Sequence, residues 1–125
     1  MKEKIVTNHA PTPTSPYSQG IRCGNFIFVS GQGPGDPETG AIIGETIEEQ
    51  TRATLNNVKA ILEAAGASME HVVKVTAHLN DLADFQGYNK VYKEFFSEPY
   101  PARTTVGSQL LGIKVEIDVI AVLPE

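Results

Sequence analysis

Three things are scarce in this 125-residue chain, and each scarcity removes a class of protein. It has one cysteine, Cys23, so no internal disulfide can form. It has no basic cluster: ten Lys and Arg are spread thinly against fifteen acids, for a formal net charge of −5. No patch could neutralise several phosphates at once, so nucleic acid is a poor partner. Apolar runs are short as well. None approaches the ~20 residues of a membrane span, and no apolar leader-like segment stands near the start. The expectation is a soluble cytoplasmic protein with no membrane partner, in a reducing compartment. Hydrophobic content of 41% and charged content of 20% exclude disordered and fibrous classes. The length predicts a single domain over 1–125.

The standard catalytic signatures are missing too. Gly31, Gly33 and Gly35 are not followed by Gly-Lys-Ser/Thr and do not open a helix, so there is no phosphate loop. His9, His71 and His78 lack metal-ligand spacing and cysteine partners, which predicts no metal site. Cys23 has no neighbouring base to activate it. Ser30-Gly31 ends a strand and is not a Gly-x-Ser-x-Gly elbow.

What is present reads as alternating strands and helices. Prolines 11, 13 and 16 make the start an irregular arm, with one short strand around Ile5 to Thr7. Ser18 to Arg22 and Phe26 to Gln32 flank Cys23-Gly24-Asn25 and predict a β-hairpin. Asp36 to Gly40 is a turn. From Thr46, apolar positions recur at three and four residues: Ile47, Thr51, Leu55, Val58, Leu62 and Ala65. Thr46 and Glu49 form a capping box, and Gly66 stops the helix. Val73, Val75, Ala77 and Leu79 alternate with Lys74, Thr76 and His78, predicting a strand whose first set faces inward. Asp81 or Asp84 caps a second helix to about Phe96, striped with Phe85, Tyr88, Val91, Tyr92 and Phe95. Arg103 to Gly107 and Ile113 to Leu123 complete the set. The order predicts an α+β domain with two helices on one face of a mixed sheet. In the last strand Val115, Ile117, Val119, Ala121 and Leu123 face the helices. Lys114, Glu116, Asp118, Ile120 and Val122 face outward, and that half-apolar outer face predicts subunit association.

Few residues can carry chemistry. Arg103 follows two prolines at a strand start, in a chain whose other arginines are Arg22 and Arg52. Its guanidinium is a rigid fork suited to a carboxylate or phosphate, though a structural salt bridge is as ready a use. Glu116 could hold or deprotonate a water, or be a solvated strand acid. Tyr17, Ser30-Gly31 and Asn89 are polar or turn positions able to line a cleft, or to pack and turn.

Six blocks, however, stand in one order: Pro16-Tyr17-Ser18-Gln19-Gly20, Phe28-Val29-Ser30-Gly31-Gln32, Asn56-Asn57-Val58, Tyr88-Asn89 through Phe95-Phe96, Tyr100-Pro101-Ala102-Arg103-Thr104, and Val115-Glu116-Ile117 to Ala121. Together, from Tyr17 to Val122, they resemble the RidA/YjgF family of enamine/imine deaminases. The resemblance implies a chorismate-mutase-like fold, a homotrimer with clefts between subunits, and no metal or cofactor. It implies hydrolysis of 2-imino or 2-enamino acids, such as 2-iminobutanoate and 2-iminopropanoate, to 2-keto acids and ammonia. Arg103 corresponds to the arginine that pairs with the substrate carboxylate, and Glu116 to the acid beside the attacking water. Tyr17, Ser30, Gly31 and Asn89 correspond to cleft residues, and Thr105 to a position supplying a backbone amide. Two departures stand out: Thr105 replaces a cysteine common in relatives, and the loop 107–112 is shorter than theirs. A small-carboxylate (2-keto acid) binding module is the alternative; a ribonuclease or translation inhibitor is disfavoured by the charge.

Overall fold

The computed structural model describes residues 1–124. Its strands are β1 (Lys2–Ile5), β2 (Gly20–Cys23), β3 (Phe26–Gln32), β4 (Val72–Leu79), β5 (Ala102–Gly107) and β6 (Val115–Val122). Its helices are α1 (Ile47–Ala64) and α2 (Phe85–Phe95). The six strands form one sheet in the order β1-β2-β3-β6-β4-β5. Only β4 and β5 pair in parallel, with α2 as their crossover. The mixed sheet with two helices is the α+β arrangement expected.

The start of α1 follows from its cap. Thr46 Oγ1 accepts from the Glu49 amide at 3.1 Å, while the Glu49 carboxylate accepts from the amides of Glu45 and Thr46. Those two bonds hold the Glu49 carboxyl below the usual carboxylate range. At the other end Gly66 takes φ +82°. Its amide donates to Glu63 O and that of Ala67 to Leu62 O, a Schellman closure that L-residues resist. Between these caps Ile47, Thr51, Leu55, Val58 and Leu62 are buried as the periodicity predicts.

Val29, Val75, Ala77, Leu79, Val115, Ile117 and Val119 meet α1 and α2 in a single core. The predicted inward place of Val73 is a correction. A bulge between Val72 and Lys74 inserts one extra residue. Val72 is therefore buried and Val73 is 46% exposed. The first strand also lies earlier than expected, at Lys2–Ile5 rather than around Ile5 to Thr7. The buried Gln19 explains why. Its amide donates to the carbonyls of Thr7, Ala10 and Pro11, and its oxygen accepts from the Thr7 amide. Those backbone groups are thus satisfied by one side chain and leave the ladder. Before α2, Asp81 caps a short 3-10 turn by accepting from the Ala83 amide at 2.9 Å. Asp84 makes no side-chain cap.

The face of the sheet away from the helices carries Phe26 and Phe28, stacked at 6.2 Å and 49% and 43% exposed. They pair across from Val122 and Ile120. Along the same face run Lys74, Thr76, His78, Glu116 and Asp118. No helix of the described residues is long and apolar enough to cross a membrane.

Candidate functional site

Pro99 and Pro101 prevent α2 from continuing and send the chain into β5, an edge strand. Arg103 stands opposite Val75 and Thr105 opposite Ala77, both buried on the helix side. Arg103 and Thr105 thus project beside α2. The Arg103 guanidinium lies 4.6 Å from the Tyr92 ring centre, 5.6 Å from Tyr88 and 5.7 Å from Phe85. Its Nη1 donates to Asn89 Oδ1 at 2.8 Å. Ring faces attract the cation without consuming its hydrogen bonds. Among the described residues Arg103 makes no ion pair; that of Arg52 with Glu94 lies elsewhere, between the helices. The bond to Asn89 takes one of its five N–H groups.

The floor beneath this cation is fixed and uncharged. Tyr88 is wholly buried, and its hydroxyl bonds Thr105 Oγ1 at 3.1 Å. Burial raises the Tyr88 hydroxyl above its ordinary pKa and pushes that of Tyr92 up to about 12. Both therefore stay neutral. Asn89, Tyr92, Lys93, Tyr100, Pro101 and Arg103 line a cavity of about 420 Å³.

A second group of the candidate residues gathers on the opposite face. The register of β3 against β6 slips between Val29 and Gln32, so Ser30 and Gly31 sit in a bulge. Glu116 fills the space this leaves: a Cβ on Gly31 would lie 2.8 Å from Glu116 Oε2. Ser30 Oγ donates to the Ser18 carbonyl at 2.6 Å, tying the bulge to the segment that carries Tyr17. Tyr17 is 51% exposed. Beside Glu116, His78 is its cross-strand partner, and the His78 Nδ1 bonds Ser108 Oγ at 2.7 Å. Burial raises the Asp118 carboxyl, partly offset by His78 and Lys74.

The seven candidate residues thus form two half-sites. Arg103, Asn89 and Thr105 lie on the helix side of the sheet's edge; Glu116, Gly31, Ser30 and Tyr17 lie on the open face. Two strand spacings of ~4.8 Å and three residues of ~3.4 Å separate Arg103 from Glu116, besides the sheet itself. A small ligand cannot touch both within one copy. Sequence reasoning missed the role of Phe85, Tyr88 and Tyr92 as a cradle, because a helical stripe of aromatics reads as core. It also missed Lys93 and Tyr100, exposed positions with no periodic signal.

The sequence signature described as Endoribonuclease L-PSP matches residues 7–123. A RutC family protein of Pyrococcus horikoshii is 51% identical over 123 residues, spanning 97% of this chain and 98% of that protein. The 2-iminobutanoate/2-iminopropanoate deaminase of Salmonella typhimurium is 43% identical, spanning 98% of each. The crystal structure of E. coli TdcF with bound serine superposes with a TM-score of 0.91 at 42% identity, covering 98% of this chain and 99% of that one.

Proposed function

The chain belongs to the RidA/YjgF family, and from that premise we propose that it hydrolyses 2-imino and 2-enamino acids, such as 2-iminobutanoate and 2-iminopropanoate, to 2-keto acids and ammonia. The observation that carries this reading is Arg103: a guanidinium held by Asn89 and three rings, open to a cavity and without an acid partner among the described residues. A bidentate carboxylate contact there contributes roughly 1.5–3 kcal/mol. The imine carbon is already electrophilic, so positioning and one proton-transfer group suffice, without metal or cofactor. Glu116 takes a proton from water as its oxygen adds to C2, and returns one to the departing nitrogen.

The two half-sites complete one another only between copies. Glu116 of a second copy must meet Arg103 of the first, which a homotrimer closed head to tail provides. The exposed Phe26 and Phe28 beside Ile120 support burial of the open face in that assembly. Light scattering should give three chains; a monomer at micromolar concentration would remove the mechanism.

The central test generates 2-iminobutanoate in situ and follows its loss. Arg103→Ala should lower kcat/KM about 10- to 100-fold, given the contact above. Equal rates for wild type, variant and buffer would sink the reading. A second reading, a 2-keto acid binding module, draws on the relative crystallised with serine, which has a carboxylate and no C=N bond. Calorimetric binding of 2-oxobutanoate with no turnover would favour it. An RNA-cleaving role, which the description of the matched signature carries, is disfavoured by fifteen acids, ten basic residues and no basic cluster.

A further inference from the structure

Arg103 is not the only cation at its cavity. Lys93 lines the same space of about 420 Å³, one helical turn beyond Asn89, and no carboxylate of the described residues lines it. Like Arg103, Lys93 makes no ion pair among the described residues. Lys93 also borders a neighbouring hollow shared with Glu48 and Lys90, but of these three only Lys93 lines the Arg103 cavity as well; Lys90 does not, and it acts on Glu94. In a chain of net charge −5, two of ten basic residues thus meet at one cavity with no acid among its described lining residues, over the neutral, buried Tyr92. A single carboxylate needs only one of them.

We propose that the cleft takes dicarboxylic imino acids, with Arg103 holding the carboxylate beside the C=N bond and Lys93 receiving the one at the end of the side chain. This rests on the deaminase reading and adds the substrate class to it. The chemistry is unchanged: water's oxygen bonds C2, the carbon–nitrogen bond breaks, and both water hydrogens leave on ammonia. No electron is gained or lost. Lys93 selects and does not react.

The test uses the full chain and two imines made in situ by amino-acid oxidases with catalase, 2-iminoglutarate and 2-iminobutanoate. Wild type should favour the dicarboxylate in kcat/KM. Lys93→Met should lower that value about three- to tenfold more than the value for 2-iminobutanoate, through KM, and be rescued by Lys93→Arg. The preference should shrink in about 0.5 M salt. Calorimetry with 2-oxoglutarate and 2-oxobutanoate gives the same comparison without turnover. If no imine is hydrolysed but 2-oxoglutarate binds more tightly in a Lys93-dependent way, the deaminase reading fails and the dianion site stands. If 2-iminobutanoate is hydrolysed and Lys93→Met changes both imines equally or neither, the dianion site is wrong and the deaminase reading stands.

Discussion

Gly31→Ala tests the Glu116 half-site more sharply than removal of the acid itself. Gly31 has no positive φ, so alanine can take its backbone without strain. The new methyl would instead stand 2.8 Å from Glu116 Oε2 and 3.0 Å from its Cδ. Ordinary contact begins near 3.4 Å, so the carboxylate must retreat by roughly 0.6 Å or swing to another rotamer. Misplacement of a reacting group by ~1 Å can lower a rate about 100-fold, so a loss of about 10- to 100-fold in kcat is expected. Folding should not suffer: replacing a compatible glycine by alanine stabilises by about 0.4–1 kcal/mol through the unfolded chain. Thermal melting, imine turnover and 2-oxobutanoate binding on the same preparation separate these effects. The melting temperature should hold or rise, binding should persist through Arg103, and kcat should fall. In the pair Gly31→Ala/Glu116→Gln the losses should not add, because both act on one carboxylate. Unchanged kcat in Gly31→Ala, or a double variant as poor as the product of its singles, would refute the placement of Glu116 at the chemistry.

Other expectations follow from single contacts. Asn89→Leu removes the one side chain bonded to Arg103 and should raise KM several-fold with little change in kcat, read from steady-state kinetics. Thr105→Val leaves the buried Tyr88 hydroxyl without its partner and should lower stability by about 1–3 kcal/mol in urea titration. Thr46→Ala removes the α1 cap and should lower stability by about 1 kcal/mol in the same assay. Folding holds the Glu49 carboxyl below its usual range, so its contribution is present above the ordinary glutamate pKa and fades as pH falls through the lowered one. Glu49→Gln should therefore lower the urea midpoint at pH 7 and lower it less near pH 3.

Much of the architecture was legible because it is written in local rules. The α1 boundaries follow from Thr46, Glu49 and Gly66, residues whose roles need only their immediate neighbours. The inward face of β6 follows from strict alternation over Val115 to Ala121. Val73 went wrong because a bulge depends on which strand lies opposite, and at the bulge Val72 pairs with the distant Ala121. The displaced β1 has a nearer cause that hydrophobic patterning does not encode: the side chain of Gln19 claims the carbonyls of Thr7, Ala10 and Pro11. At the candidate site the residue types were visible, but not their division between faces. Whether Arg103 points with Glu116 or against it turns on the registers of β5 with β4 and of β4 with β6, and no spacing in the sequence encodes either.

That division has a genetic consequence. In the proposed trimer, a cleft built from the Arg103 side of one copy and the Glu116 side of the next would not need both from one intact chain. Two inactive variants, Arg103→Ala and Glu116→Gln, should complement one another when their subunits are mixed by refolding. Any closed ring of three that contains both kinds has one junction where an intact arginine faces an intact glutamate. An equal random mixture should then regain about a quarter of wild-type activity from two preparations that each have little.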